Sequence, residues 1–176
     1  SILFTFTENQ EIMEIESKEK TYNKLGFEKN EASELVISLN ALLSNYSVLY
    51  QKIRNFHWNV TGPEFFDVHE KFEVEYTTAA ADIDAIAERV RILGFKPVST
   101  LKEFLKNSEI EEPSDDLKAM DMVKSVVADY ETLLSFIVDS IDLANEHGDV
   151  GTEKMLQAML LAKEQMHWMF SAFVAE

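Results

Sequence analysis

The chain has 176 residues, 46% of them hydrophobic, and its 32 acidic and 16 basic residues give a net charge of −16. The hydrophobic content excludes global disorder, and the length suits one domain whose core is large enough to fold alone. The absence of cysteine excludes disulfides, thiolate catalysis and cysteine-ligated zinc or iron–sulfur sites. The acidic balance disfavours binding to nucleic acid or anionic membrane, and no apolar run approaches the roughly 20 residues that span a bilayer.

Residues 1–29 are predicted to form an extension ahead of a folded domain at 30–176. The extension combines a short β-prone piece, Ile2 to Thr7, with a polar segment in which glutamates outnumber lysines. This balance favours a solvated mixed-charge tail over a nucleic-acid-binding arm. The start of the chain lacks the basic region that opens a signal peptide, and a cysteine-free chain fits the cytosol, so we expect a cytoplasmic protein.

Few turns and long helices are expected because the chain has only five Gly and three Pro. Apolar residues recur at helical spacing through four long segments, and Asn30 or Ser33 is a candidate cap for the first. A capping-box pattern from Thr100 to Glu103 opens a short amphipathic helix. The predicted helices are 31–59, 64–93, 100–107, 117–146 and 151–174.

Four long helices, each about 40 Å in length, predict a four-helix bundle. The connection between the second and third long helices is the long one, at about 23 residues, and it holds the short helix. The ferritin-like topology requires a long crossover at this place. The expected fold is therefore all-α, a ferritin-like four-helix bundle with a short extra helix in that connection.

Two pairs of potential metal ligands share helix faces in the second long helix. His69 and Glu73 are four residues apart, as are Asp84 and Glu88, and apolar residues lie between them. Imidazole and carboxylate groups beside an apolar stripe cost free energy unless a partner satisfies them, and a cation with nitrogen and oxygen ligands is such a partner. Iron, manganese and zinc all accept this ligand set.

His57, near the end of the first helix, is a further candidate ligand. About 22 Å separate His69 from Asp84 along one helix, so the two cannot bind one ion from the same chain. They can cooperate across a two-fold dimer, in which antiparallel helices bring His69 of one chain near Asp84 of the other. A homo-oligomer would then be part of the site.

A purely structural role is the alternative for these residues. Glu88 would pair with Arg54 or Arg91 at the surface, and His57 would be a core histidine bonded to a backbone carbonyl.

Ferritin-type di-iron sites inside a bundle normally show Glu-x-x-His twice. Here the pattern occurs once, at Glu164 to His167. A di-iron centre inside the bundle is therefore not expected, and His167 is expected at the surface or at an interface.

Several segments resemble the Dps family, the miniferritins or DNA-binding proteins from starved cells. They are FHWNVTGPEFFDVHEKFE, DIDAIAER, STLKEFL, GDVGT and HWMFSAF, within about residues 31–175. His57, His69, Asp84 and Glu88 follow at intervals of 12, 15 and 4 residues, the spacing of the family's ferroxidase ligands. The resemblance implies a twelve-subunit hollow shell built from two-fold dimers, with both histidines of a site from one subunit and both carboxylates from the other.

The resemblance also implies an activity. Fe(II) would be oxidised, with hydrogen peroxide preferred to dioxygen, and Fe(III) mineral would be stored in the shell, which protects against oxidative damage. Glu73 would complete or bridge the second iron. Trp58, adjacent to a ligand, would take up stray oxidising equivalents.

Two departures from the family pattern affect iron entry and DNA. Iron would enter through acidic three-fold pores near the start of the last helix, where Asp149 and Glu146 or Glu153 remain but uncharged and basic neighbours thin the ring. DNA-binding members use lysine-rich tails, whereas this N-terminal region is net acidic, so we expect no tight DNA binding. A DNA-binding shell with secondary iron chemistry and a metal-free helical shell stay open as alternatives.

Overall fold

The computed structural model describes residues 29–114 and 116–175, with side chains described from residue 32 onward. Regular structure in these ranges is entirely helical. The helices are α1 (Lys29–Asn59), α2 (Phe65–Ile92), α3 (Leu101–Asn107), α4 (Ala119–Glu146) and α5 (Val150–Phe173). The predicted all-α ferritin-like four-helix bundle with a short extra helix is confirmed. Apart from Lys29, which begins α1, the predicted extension lies outside the described residues.

The bundle consists of two helix pairs, α1 with α2 and α4 with α5, joined mainly by packing of α1 against α4. Each long helix turns one face inward because its apolar residues recur every three or four positions. On α2 the buried residues are Val68, Phe72, Glu75, Ala79, Ile86 and Val90. Glu75 is therefore a charged residue in a row that is otherwise apolar.

The turn between α1 and α2 reverses the chain within five residues. Gly62 adopts φ of +106°, a conformation that side-chain-bearing residues rarely enter. Its carbonyl oxygen accepts a hydrogen bond from the Phe65 amide at 3.2 Å. The tight reversal brings the last turn of α1 beside the first turns of α2, which is where both predicted histidine ligands lie.

Helix α3 is attached to α1 by two buried or half-buried asparagines. Asn45 Oδ1 accepts from the amides of Glu109 and Ile110 at 3.0 and 3.1 Å, and Asn40 Oδ1 accepts from the Val98 amide at 3.0 Å. These bonds satisfy loop amides that would otherwise lack partners near the core. The long connection is thus fixed to α1 on both sides of α3.

The predicted helix boundaries are correct to within two residues. The predicted caps of α1 are wrong, because Asn30 and Ser33 both lie inside a helix that already includes Lys29. The predicted capping box at Thr100 and Glu103 is confirmed. Among the described residues no helix combines the length and the apolar character needed to cross a bilayer.

Candidate metal site

The two histidines predicted as ligands lie side by side at the α1–α2 turn. Their rings stack with centroids 3.7 Å apart and planes 20° from parallel. His57 Nδ1 bonds to the carbonyl oxygen of His69, and His69 Nδ1 bonds to the carbonyl oxygen of His57, both at 2.8 Å. Two reciprocal hydrogen bonds therefore fix the rings and join the two helices.

These bonds select one tautomer of each imidazole. A carbonyl oxygen only accepts hydrogen bonds, so each Nδ1 carries the hydrogen and donates it. Nε2 of a neutral ring then keeps a free lone pair. Metal-binding histidines commonly use their second nitrogen in this way, which orients the ring and makes the ligating nitrogen more basic. The pair is thus prepared to bind a cation.

Aromatic rings enclose the histidine pair within the chain. Phe65 stacks on His69 with centroids 4.8 Å apart, and Tyr76 meets His57 edge-on at 5.3 Å. His57 is buried and His69 is partly exposed. The protein side of the pair is therefore an apolar wall, and ligands beyond the two nitrogens must come from the open side.

Trp58 lies next to His57 but turns outward, with 57% of its surface exposed. The guanidinium of Arg54 stands 4.7 Å from the Trp58 ring centroid and 5.1 Å from that of Tyr50. Such cation–π contacts hold a side chain in place at an exposed site. The predicted role of Trp58 as a sink for oxidising equivalents stays a prediction.

The carboxylates predicted for the site, Glu73, Asp84 and Glu88, are all exposed on α2. Asp84 lies about 22 Å from His69 along the helix axis, as expected from the spacing. Across the described ranges, no three His, Cys, Asp or Glu side chains gather closely enough to hold a metal ion. Neither Arg54 nor Arg91 pairs with Glu88. Arg54 donates a hydrogen bond to the Gln51 side chain, and Arg91 donates one to the Phe95 carbonyl oxygen. A single chain therefore brings the two imidazoles together but does not bring these carboxylates to them.

Comparison with known proteins places this architecture in a family. A model of the ferritin-like domain matches residues 38–176. A DNA protection during starvation protein from Brevibacillus brevis is 42% identical over 140 residues, which cover 80% of this chain and 94% of that relative. The chain belongs to the Dps family of ferritin-like proteins.

Solved Dps structures share the fold of this family member. Dps from Bacillus brevis has a TM-score of 0.82 at 40% identity, covering 85% of this chain and 100% of that one. Dps from Vibrio cholerae, described as a member of a broad superfamily of ferritin-like diiron-carboxylate proteins, has a TM-score of 0.81 at 34% identity. That match covers 83% of this chain and 92% of the Vibrio chain.

Asp149, predicted to line a pore in this Dps-family protein, is engaged within its own chain. It is buried as the N-cap of α5, where its carboxylate accepts from the Thr152 amide at 3.1 Å and from Arg89 Nη2 at 2.5 Å. Arg89 therefore neutralises this carboxylate. Glu146 is exposed and Glu153 partly so. The pore role of all three residues stays a prediction.

The single Glu-x-x-His pattern of this Dps-family protein faces outward. His167 Nε2 lies 3.2 Å from a carboxylate oxygen of Glu131 on α4, and Glu164 is exposed. The expectation of a surface histidine is confirmed for the chain as described.

The bundle interior of this Dps-family protein holds charged groups that the sequence reasoning missed. Glu75 and Lys163 form an ion pair at 3.2 Å, and both side chains are almost completely buried. The available signal was positional: Glu75 stands between Phe72 and Ala79 in the apolar row of α2, and Lys163 stands in the corresponding row of α5. A charged residue on each of two inward faces indicates a buried pair.

Proposed function

We propose that this protein oxidises Fe(II) at sites shared between two copies of the chain and stores the Fe(III) product in a hollow shell. His57 and His69 would come from one copy, and Asp84 and Glu88 from the other. Glu73 would supply a further oxygen ligand to a second iron. The shell would be a dodecamer of two-fold dimers in the cytoplasm.

One observation carries the proposal. Both imidazoles are fixed with Nε2 available for a metal, yet no carboxylate of the same chain completes the set among the described residues. Two nitrogen ligands leave most coordination positions of an iron ion unfilled. A two-fold partner with antiparallel α2 can bring its own exposed carboxylates to those positions.

Exposed apolar side chains support a partner on this part of the molecule. Val74 on α2 is half exposed, and Leu101 and Leu105 on α3 are 79% and 52% exposed. Apolar side chains exposed to this extent are available to be covered by a partner. Family membership supports the same assembly, because the resemblance implies shells built from such dimers.

The chemistry follows from the ligand types. Imidazole nitrogen and few carboxylates bind Fe(II) without an excess of negative charge, and Fe(III) then favours oxygen ligands. Each of two Fe(II) ions gives one electron to hydrogen peroxide, its O–O bond breaks, and two protons complete two water molecules. Taking both electrons together avoids release of hydroxyl radical, and the resemblance to the Dps family is what favours peroxide as the oxidant.

Storage is supported by charge. The net charge of −16 per chain attracts cations, so hydrolysed Fe(III) can be retained against an acidic inner wall. The comparison with a diiron-carboxylate superfamily supports iron as the substrate.

A complementation experiment tests the shared site. His57→Ala and Asp84→Asn, each expressed alone, should abolish rapid Fe(II) oxidation by peroxide while assembly persists. When the two variants are co-expressed, about half of the dimers contain one chain of each kind, and one of the two sites in such a dimer is intact. About a quarter of wild-type activity should therefore return. Asp139→Asn, an exposed carboxylate on α4, is the matched control and should keep full activity.

The result has a clear opposite. If mixed assemblies recover no activity, or if either single variant oxidises Fe(II) at the wild-type rate, the site is not shared in the way proposed.

A further inference from the structure

The centre of the bundle contains a polar cluster to which all four long helices contribute. Its members are Tyr46 from α1, Glu75 and Asp82 from α2, Tyr130 from α4 and Lys163 from α5. Tyr46, Glu75, Tyr130 and Lys163 are each no more than 2% exposed, and Asp82 is partly exposed. We call this set the interior cluster.

The cluster is organised around the Glu75 carboxylate. One of its oxygens accepts a hydrogen bond from the Tyr130 hydroxyl and lies 3.2 Å from Lys163 Nζ. The same ammonium stands 5.3 Å from the centroid of the Tyr130 ring, so it is held between an anion and an aromatic face. Lys163 is therefore the single positive charge of a set that contains two carboxyl groups.

The other half of the cluster consists of Tyr46 and Asp82, which interact with each other. The Tyr46 hydroxyl is buried, and burial raises its pKa, with the nearby Asp82 carboxyl adding to the rise. Burial raises the pKa of Asp82, and the charge of Lys163 opposes that rise. The Asp82 carboxyl therefore lies close enough to the Lys163 ammonium to feel its charge.

Ferritin-like di-iron proteins place their metal in the bundle interior, held by a Glu from two helices and Glu-x-x-His from the other two. The interior of this chain does not fit that centre. The interior cluster contains no histidine, both of its carboxyl groups come from α2, and Lys163 Nζ lies 3.2 Å from the Glu75 carboxylate. A similar protein is described as a member of the diiron-carboxylate superfamily, but the residues of the interior cluster in this chain do not form the ligand set of an interior di-iron centre.

We propose that the Lys163 ammonium is the fixed cation of the interior cluster and closes this cluster to metal ions. A buried carboxylate needs a compensating positive charge, which a metal or a side chain can supply. Because Lys163 on α5 supplies the positive charge, the Glu75 carboxylate keeps no uncompensated negative charge that would attract Fe(II). Iron is then confined to ligands at the molecular surface, including those of the shared site.

Zinc uptake by charge-deleted variants tests this proposal. Zn²⁺ accepts the same nitrogen and oxygen ligands but has no redox chemistry, so it reports binding without mineral formation. Lys163→Gln keeps a hydrogen-bond donor near Glu75 and removes the charge, and it should bind about one Zn²⁺ per chain more than the wild type. Metal content after dialysis against Zn²⁺ measures the difference.

The matched control removes the anion as well. Glu75→Gln/Lys163→Gln should return to the wild-type zinc content and should recover the melting temperature that Lys163→Gln loses. Added Zn²⁺ should raise the melting temperature of Lys163→Gln more than that of the wild type or the double variant. Lys163→His is a second variant in case Lys163→Gln assembles poorly, because imidazole can both donate to Glu75 and bind zinc.

Equal zinc contents in assembled Lys163→Gln or Lys163→His and wild type would overturn the proposal. If neither single variant assembles but the double variant does, the requirement for an interior cation is upheld. If the double variant also fails, Lys163 acts through packing and the proposal is wrong. None of these variants alters the histidines or carboxylates of the shared site, so failure here is distinct from failure of the ferroxidase proposal.

Discussion

Each imidazole of the candidate site is positioned by main-chain atoms. The His57 carbonyl belongs to the last turn of α1, where helix carbonyls lack intrahelical partners, and His69 Nδ1 satisfies it. The rings are therefore coupled to the register between α1 and α2. Gly62 sets that register through its positive φ, so residues of the turn control ligand geometry without touching a metal.

Asp82 leads to a prediction about pH. Burial raises its pKa above the ordinary 3.8, so the folded state binds this proton more tightly than the unfolded state. Stability therefore falls as pH rises from the unfolded pKa through the folded one, and the deficit persists at neutral pH. Asp82→Asn should unfold at higher urea concentration than wild type at about pH 7, with the difference closing near about pH 3.

Asp139→Asn, an exposed change away from the ends of α4, is the control for that measurement and should show no such gap between the two pH values. If Asp82→Asn is instead less stable than wild type at neutral pH, attraction to Lys163 outweighs the effect of burial.

At the scale of the element, helices were predictable because a single period governs each of them. Apolar residues at three- and four-residue steps located all four long helices, and Thr100 with Glu103 located the start of α3. The α1 cap was mispredicted because Asn30 and Ser33 are acceptable within a helix as well as at its start, and local sequence does not distinguish the two.

Helix α3 depends on its capping box, which leads to a prediction about assembly. Thr100 Oγ1 accepts from the Glu103 amide, and Glu103 Oε2 accepts from the Ser99 and Thr100 amides. Thr100→Ala should destabilise this seven-residue helix by about 1 kcal/mol, a large effect for so short an element. Hydrogen exchange of residues 101–107 should accelerate.

Because α3 presents Leu101 and Leu105 outward, a dimer of Thr100→Ala should also dissociate at a higher protein concentration than a wild-type dimer. Ser99→Ala is the control, since the main chain of Ser99 rather than its hydroxyl contacts Glu103. Unchanged exchange in α3 of the Thr100 variant would show that packing on α1, and not the cap, holds the helix.

The candidate site was predictable only in part, for reasons of distance. His57 and His69 are separated by one short turn, so their proximity follows from two adjacent helices. The contacts of Glu75 with Tyr130 and Lys163 span 55 and 88 residues of sequence, and no local period relates such positions. Their partnership depends on which helices pack together, which emerges only when the bundle forms.

At the scale of the whole molecule, exposed apolar residues occur on several helices. Val74, Leu101 and Leu105 belong to α2 and α3, whereas Leu161 and Trp168 are exposed on α5. Apolar side chains exposed on more than one helix allow contact with more than one neighbour, which the proposed shell would need in addition to a two-fold dimer. The fold of one chain thus already contains the surfaces that assembly would cover.

The last prediction concerns DNA. Relatives of this chain carry the name DNA protection during starvation protein, yet each chain here has a net charge of −16, and assembly multiplies that charge. An acidic protein and duplex DNA repel each other unless the protein carries a local basic patch, and the first 29 residues of this chain are net acidic. The assembled protein should not retain duplex DNA in a gel shift at about 200 mM salt, and at most weakly at about 50 mM.

Protection and binding can be separated in the same experiment. Under the proposed function, plasmid exposed to Fe(II) and peroxide should be shielded from nicking by wild type but not by His57→Ala, because protection would come from removal of the reagents rather than from covering the DNA. A variant with glutamines at five glutamate positions should bind duplex at low salt, since its extension becomes basic. Those positions are Glu8, Glu11, Glu14, Glu16 and Glu19. Retention of duplex by the wild type at the higher salt, or shielding by His57→Ala, would instead favour a DNA-coating protein whose iron chemistry is secondary.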